Sequence, residues 1–297
     1  MLPIEELLAL QNPDGGWAYG PGTAGSWTEP TCYAFLALAA SGQQSSPIGR
    51  RASEWVKRVQ RADGGLAPRE SVSESTWQTA LALIVPAELS STIHRSQAEA
   101  WLLAQTGRES GMLNRLRLLL AGAKQDISVS YDGWPWYPGA AAWVTPTALS
   151  VLALERIANA GGASADAAGS VLARIEQGRS FLLARRCRDG GWNHGSTRAL
   201  GYDSDSYPET TGTALLALHG IANPDVDRAI QRAEQHLASC QSSEAASWLT
   251  LGLLAHGRKP ARPNISSHGG SSHGGTMAIA LDIIASTAAE GRNVLLP

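Results

Sequence analysis

At 297 residues the chain can form one large domain or two small ones, and its 43% hydrophobic and 17% charged content is typical of a globular protein. The 24 Lys and Arg residues against 26 Asp and Glu residues provide no basic surface for nucleic acid. The three cysteines fit no disulfide framework. The N-terminus lacks a signal peptide's positive charge, and no apolar run reaches the ~20 residues of a membrane span. We therefore expect one cytoplasmic domain, residues 1–297, without a membrane span.

Six Ala- and Leu-rich blocks follow one another along the chain, and five of them begin with Glu. Their first residues lie 45, 35, 36, 64 and 35 positions apart, and most of these spacings are typical of a helix-pair repeat. The blocks are EPTCYAFLAL (29–38), ESTWQTALAL (74–83), ESGMLNRLRL (109–118), TPTALSVLAL (145–154), ETTGTALLAL (209–218) and EAASWLTLGL (244–253).

The segments between these blocks have a different character, because apolar residues recur every three or four positions among charged ones. Examples are PIGRRASEWVKRVQ (47–60) and DVDRAIQRAEQHLASC (225–240). The blocks themselves are apolar on most faces, which suits helices surrounded by other helices. We predict an all-α fold, an (α/α) toroid of about twelve helices with inner and outer rings, whose Glu-headed inner helices begin at one mouth.

Three similar turns precede helical segments: QNPDGGW (11–17), QRADGGL (60–66) and RCRDGGW (186–192). They resemble the QW-type repeats of the terpenoid cyclase and protein prenyltransferase superfamily, in particular squalene-hopene-cyclase-like bacterial proteins. The resemblance implies an (α/α) toroid whose apolar central cavity holds an isoprenoid-type substrate. It also implies a possible class II cyclisation, which begins when an acid protonates an alkene.

The acid of class II cyclases is the middle Asp of a DxDD motif at the head of an inner helix. In the register that the resemblance gives, Glu209 occupies the position of that acid, with Tyr207 and Thr210 at the first and last acidic positions. The prenyltransferase Asp-x-Cys zinc pair does not occur. No cofactor or bound metal is expected, apart from Mg²⁺ if the substrate is a diphosphate.

Other candidate residues are expected near the same mouth. Glu29, Glu74 and Glu244 head their own blocks, so several carboxyl groups would converge there and raise one another's pKa. The long loop before Glu209 adds acidic and aromatic groups, and tryptophans precede other inner helices. These further candidates are Asp203 and Asp205 for catalysis or metal, and His194, Tyr207, Trp27, Trp134 and Trp136 for substrate binding.

The repeat-start Glu residues can also be plain helix caps, and the DGG turns plain packing devices. The pair His268 and His273, in SSHGGSSHGG (266–275), is explained more simply as linker than as a metal site. Two other functions therefore remain open: a non-catalytic ligand- or protein-binding toroid that has lost the acid motif, and a polysaccharide-active (α/α) toroid.

Overall fold

The computed structural model describes residues 3–20, 23, 25–86, 93–111, 131–161, 165–199, 202–261 and 275–297. Within them lie eleven α-helices and one two-stranded antiparallel ribbon of Arg198–Ala199 (β1) and Tyr202–Asp203 (β2). The helices are α1 (Pro3–Ala9), α2 (Thr28–Ala40), α3 (Pro47–Arg58), α4 (Gln78–Ile84), α5 (Arg95–Ala104), α6 (Val144–Ala160), α7 (Ala165–Ala184), α8 (Pro208–Ala217), α9 (Pro224–Ala238), α10 (Ser243–Ala255) and α11 (Thr276–Ala289).

Six of these helices form a closed inner ring. Going round the ring, α2 packs on α4, α4 on α6, α6 on α8, α8 on α10, α10 on α11, and α11 returns to α2. The remaining helices pack on the outside: α3 on α2, α5 on α4, α7 on α6, α9 on α8 and α10, and α1 on α11 and α2. The predicted (α/α) toroid is confirmed.

Backbone hydrogen bonds tie the beginnings of the inner helices to one another. In each bond, an N–H at the start of one inner helix donates to a carbonyl in the loop that precedes a neighbouring inner helix. The bonds are Thr28 N to Pro68 O (2.9 Å), Trp77 N to Trp136 O (3.1 Å), Val144 N to His194 O (3.1 Å) and Thr276 N to Tyr19 O (3.0 Å). The N-termini of α2, α4, α6, α8 and α11 therefore lie together, and we call this end of the ring the mouth.

The DGG turns are hydrogen-bond hubs that connect an inner helix to an outer one. In the second turn, the Asp63 carboxylate accepts from Gly65 N (3.0 Å), Ser75 Oγ (2.7 Å) and Trp101 Nε1 (3.0 Å). Gly64 has a φ of +92°, a conformation that glycine adopts without strain. The first turn repeats the pattern at Asp14, with Gly16, Ser26 and Trp55 as donors. Each of these two sequence repeats thus corresponds to one structural unit, a DGG turn bonded to an inner and an outer helix.

The third turn differs in one partner. Asp189 accepts from Ser206 Oγ (2.7 Å) and Gly191 N (3.2 Å), but where the other turns have tryptophan the outer helix supplies Arg232. The His236 ring lies 2.8 Å from Ser206 Oγ, and Arg232 pairs with Asp189 at 3.1 Å. Because Ser206 is buried among these groups, we interpret this Asp, Ser and His set as a structural hub.

The middle turns of the inner helices are closed to solvent. The residues from Thr79 to Ile84 in α4 and from Thr147 to Leu154 in α6 have no solvent-accessible surface. Most residues of α2 are buried as well. Since four consecutive residues face all sides of a helix, no open space adjoins these turns. A substrate would therefore meet these helices at their ends.

Helices α8 and α10 cross at glycines. A Cβ atom at Gly212 would lie 2.4 Å from the backbone of Trp248, and one at Gly252 would lie 2.5 Å from Gly212 O. Such distances leave no room for a side chain, so the two helices approach backbone to backbone. The close crossing brings the N-termini of α8 and α10 together at the mouth.

Charged groups also lie at the opposite end of the inner helices. Glu155 of α6 is buried and contacts Arg179 of α7, while His219 Nδ1 lies 3.7 Å from its other oxygen. Burial raises the pKa of Glu155 to about 7, although Arg179 opposes the shift. Arg156, next in the chain, donates to the carbonyls of Val294 and Leu296. The C-terminal segment is thereby fixed against α6.

One expectation about block starts is corrected by the structure, and another falls mostly outside the described residues. Glu74 does not head an inner helix, because α4 begins at Gln78 and Glu74 lies exposed before it. Glu109 lies in a 3-10 turn, Arg108–Ser110, and residues 112–118 of its block lie outside the described residues. The pair His268 and His273 also lies outside them.

No helix in the described ranges is long and apolar enough to cross a membrane.

Candidate active site at the ring mouth

Three carboxyl groups occupy the same position in three inner helices. Glu29, Glu209 and Glu244 each lie two residues after the N-cap of α2, α8 and α10, respectively. The free N–H groups and the dipole of a helix N-terminus stabilise a carboxylate at this position. Glu209 is exposed, whereas Glu29 and Glu244 are partly buried.

These carboxyl groups are close enough to affect one another. Burial raises the pKa of Glu244, and the charge of Glu209 raises it further. Burial is also the main cause that raises the pKa of Glu29, and Glu244 adds to it. The Tyr19 hydroxyl opposes this rise by donating a hydrogen bond of 2.5 Å to Glu29 Oε2. Of the three, Glu29 is thus the one that combines partial burial, a raised pKa and a specific hydrogen-bond donor.

Two aromatic rings lie one helical turn below the carboxyl groups. Tyr33 follows Glu29 by four residues, and Trp248 follows Glu244 by four, so each pair shares one helix face. The rings of Tyr33 and Trp248 meet edge to face, with centroids 5.7 Å apart. Since α11 separates α2 from α10 in the ring, this contact lies on the inner side. We call Glu29, Glu209, Glu244, Tyr33 and Trp248 the acid cup.

Aromatic side chains continue around the rim of the mouth. The Tyr19 and Trp27 rings lie 5.7 Å apart, and the Arg69 guanidinium lies 4.8 Å from the Trp27 ring. Trp136 packs edge to face on Trp77 with centroids 4.9 Å apart. Trp27 and Trp136 are therefore both at the mouth, as their sequence positions predict.

His194 joins two further aromatic side chains at the mouth. It lies between Trp143 and Tyr207, with ring centroids 5.8 Å and 5.3 Å away, respectively. Tyr207 is the N-cap residue of α8 and Trp143 that of α6. The three rings form a group beside the acid cup.

The Trp134 side chain is buried rather than exposed at the mouth, which does not fit the role in substrate binding expected for it. Its side chain is only 1% exposed, its Nε1 donates to Leu102 O (2.8 Å), and Arg174 lies 3.5 Å from the ring. It occupies the same place as Trp17 and Trp192, whose indoles donate to Leu7 O and Leu182 O. Trp134 is therefore a packing residue of the repeat.

The acidic loop before α8 does not fit a bound Mg²⁺. Asp203 pairs with Arg188 (2.9 Å) and with Arg198 (3.7 Å), so guanidinium groups face its oxygens. Asp205 is exposed, and among the described residues no group of three or more His, Cys, Asp and Glu could hold a metal ion. Asp203 therefore anchors the loop rather than offering a free metal ligand.

Sequence reasoning missed Tyr19, Tyr33 and Trp248. The spacing of four residues from Glu29 to Tyr33 and from Glu244 to Trp248 was the available signal. The facing position of the two rings follows only from ring closure, which brings together residues more than 200 positions apart.

No protein-family profile and no curated sequence matches the chain. Among solved structures, ent-copalyl diphosphate synthase from Streptomyces platensis has a TM-score of 0.56 and 16% identity, covering 90% of this chain and 50% of that one. The type II terpene cyclase MstE from Scytonema has a TM-score of 0.53 and 18% identity, covering 98% and 77%. A family 8 glycosyl hydrolase from Klebsiella pneumoniae, an endoglucanase, has a TM-score of 0.59 and 12% identity, covering 98% and 99%. At these identities the likeness shows the toroid fold alone, which terpene cyclases and glycosidases share.

Proposed function

We propose that the acid cup is a proton-donating site for an apolar, isoprenoid-type substrate, as in class II cyclisation, with Glu29 as the acid. The observation that carries the proposal is a partly buried carboxyl group of raised pKa placed one turn above two aromatic rings. A general acid must hold its proton near neutral pH, and burial beside a second carboxyl group favours the protonated form.

The reaction that fits this arrangement is protonation of a carbon–carbon double bond. The Glu29 O–H bond breaks, a C–H bond forms at one alkene carbon, and a cation develops at the other. The faces of Tyr33 and Trp248 can stabilise such a cation by cation–π attraction. A second double bond of the substrate then attacks this cation, so that a ring C–C bond forms and a new cation develops further along the chain. Loss of a proton from a carbon next to that cation to water restores a double bond in the product, and water returns a proton to the Glu29 carboxylate.

Glu29 fits the role of acid better than Glu209, the residue that the sequence register favours. Glu209 is exposed at the mouth, whereas the Glu29 carboxyl is partly buried and accepts a hydrogen bond from Tyr19. In this proposal Glu209 acts through its charge, which raises the pKa of Glu244. Glu244 in turn raises the pKa of Glu29.

The test is product analysis after incubation of the purified protein with squalene and with geranylgeranyl diphosphate. The wild type should yield a cyclised product, and Glu29→Gln should lose at least ~100-fold of the rate. Glu74→Gln is the matched control, because Glu74 is an exposed Glu outside the acid cup. Absence of product from both substrates, or an active Glu29→Gln protein, would remove the assignment.

A non-catalytic binding toroid is the second candidate, because the middle turns of α4 and α6 are closed to solvent. Such a protein would hold an apolar ligand at the mouth without converting it. Binding of squalene that Trp27→Ala weakens, without any product, would identify this function. The third alternative, a polysaccharide-active toroid, is tested by incubating the protein with carboxymethylcellulose. This alternative predicts that reducing ends are released.

A further inference from the structure

A cavity of about 310 Å³ lies between the loops that lead into α6 and α8. Its walls include the aromatic side chains Trp143, His194 and Tyr207, together with Arg185, Ser196 and Ser204. We propose that this cavity binds a neutral pyranose sugar. The proposal is independent of the acid cup, since none of the three mouth carboxyl groups lines the cavity.

The wall that leads into α6 is fixed by a carboxylate. Both oxygens of Glu109 lie 3.0 Å from Ala142 N, the residue before Trp143. Val144 N, just after Trp143, donates to His194 O (3.1 Å), which joins this wall to the opposite one. The backbone on both sides of Trp143 is therefore fixed.

The opposite wall is held by the buried side chain of Asn193. Its Oδ1 accepts from Gly195 N (2.9 Å) and Ser196 N (3.1 Å), and its Nδ2 donates to Ser196 O (2.8 Å). Arg185 adds a bond from Nη1 to Gly195 O (2.8 Å). A cavity whose walls are already fixed loses little conformational entropy when a ligand binds.

The charge balance of the cavity favours a neutral ligand. Among the described residues that line the cavity, Arg185 is the one guanidinium, and its side chain is 4% exposed and paired with Glu109 at 3.2 Å. An anion would have to compete with Glu109 for this guanidinium. A neutral molecule leaves the buried pair intact, which avoids the cost of an unpaired buried charge.

The mixture of aromatic and hydroxyl groups favours a sugar over a purely apolar ring. Trp143 is 37% and Tyr207 45% exposed, so both offer ring surface to a ligand. A pyranose has C–H faces that pack on such rings and hydroxyl groups that need hydrogen-bond partners. Ser196, Ser204 and Tyr207 line the cavity, and their hydroxyl groups can supply those partners; the Ser196 hydroxyl, which already donates to Arg198 O (2.7 Å), would act as an acceptor.

The experiment is calorimetric titration of the full chain with methyl β-glucopyranoside and cellobiose, with indole as the apolar comparison. We expect at least one of the two sugars to bind with a Kd of about 1 mM or below, which is an affinity that a ligand of this size can reach. Indole should bind more weakly. Trp143→Ala should weaken sugar binding at least ~10-fold. Tyr137→Ala is the matched control, because Tyr137 is 60% exposed and does not line the cavity.

Sugar binding that persists in Glu29→Gln would separate this site from the proposed acid cup. The proposal is overturned if neither sugar binds, if indole binds more tightly than both, or if Tyr137→Ala weakens binding as much as Trp143→Ala. Circular dichroism of each variant checks that it is folded. Loss of cyclase activity in Glu29→Gln concerns only the acid cup and leaves the result for this cavity unaffected.

Discussion

Tyr33 and Trp248 meet edge to face on the inner side of the helix ring, with centroids 5.7 Å apart and planes at 79°. Their helices are not neighbours, so this contact spans the ring rather than a single helix interface. It also closes the space below Glu29 and Glu244. The contact thus serves as the floor of the acid cup and as part of the core.

Replacement of Trp248 with alanine should destabilise the protein strongly. The side chain is 5% exposed, and removal of a buried Trp typically costs about 3–5 kcal/mol of unfolding free energy. Urea denaturation measures the change. Tyr202→Ala is the control, because Tyr202 is 78% exposed and should change stability by less than ~0.5 kcal/mol. Equal losses in both variants would contradict a core position for Trp248.

Gly212→Ala should destabilise the crossing of α8 and α10. The added methyl group would lie 2.4 Å from the Trp248 backbone, which cannot move as a side chain can. Overpacking of this kind costs about 1–3 kcal/mol or more. Gly169→Ala should instead stabilise the protein by roughly 0.5–1 kcal/mol, because Gly169 is helical and has open space around it. Thermal unfolding of both variants tests for opposite signs.

The DGG hubs predict a large loss for Asp63→Ala. The substitution leaves Trp101 Nε1 and Ser75 Oγ without their acceptor at nearly buried positions, at a cost of about 2–4 kcal/mol. Asp203→Ala removes only exposed ion pairs and should cost about 0–1 kcal/mol. Urea denaturation midpoints compare the two variants, provided that the free energy of unfolding depends equally on urea concentration in both. A small effect of Asp63→Ala would show that the turn holds its shape without the carboxylate.

The repeat could be predicted from the sequence because its signals are local. Ala- and Leu-rich blocks and Glu at the second helical position correctly place the starts of α2, α8 and α10. The register fails at α4. Ser75 donates to Asp63 as Ser26 donates to Asp14, so Gln78, three residues after Ser75, is the residue equivalent to Glu29, and Glu74 is not. The Asp turn, rather than the nearest Glu, fixes where an inner helix begins.

The depth of the site could not be predicted in the same way. The resemblance implies a deep apolar cavity, whereas the middle turns of α4 and α6 have no solvent-accessible surface. Whether a ring of helices is filled depends on how side chains from opposite helices meet, as Tyr33 and Trp248 do. No single repeat contains that information.

Glu155 should make stability depend on pH at the far end of the ring. Its pKa rises from the ordinary value of 4.5 to about 7 in the folded state because it is buried, so the folded state holds a proton that the unfolded state has lost. The contribution of Glu155 to the free energy of unfolding is fully present below pH 4.5. It is lost as the pH rises through 7, by up to about 3 kcal/mol.

Glu155→Gln lacks this pH-dependent component, so the stability of the variant relative to the wild type should increase between about pH 4 and about pH 8, a range that includes both pKa values. His219, whose pKa burial lowers, acts in the opposite direction in both proteins. Urea denaturation at several pH values measures the difference, and Glu290→Gln, at an exposed Glu, is the control. A constant difference across the range would contradict the raised pKa of Glu155.

Two neighbours should move the pKa of Glu29 in opposite directions. Tyr19→Phe removes the hydroxyl that stabilises the charged form by a hydrogen bond, so the pKa should rise further. Glu244→Gln removes a negative charge, so the pKa should fall. Carbon-13 NMR titration of labelled Glu carboxyl groups measures both, with Glu29→Gln assigning the signal. Because Glu74 lies outside the acid cup, Glu74→Gln should leave the Glu29 titration unchanged, and a shift as large as that of Glu244→Gln would mean that the acid cup does not set this pKa.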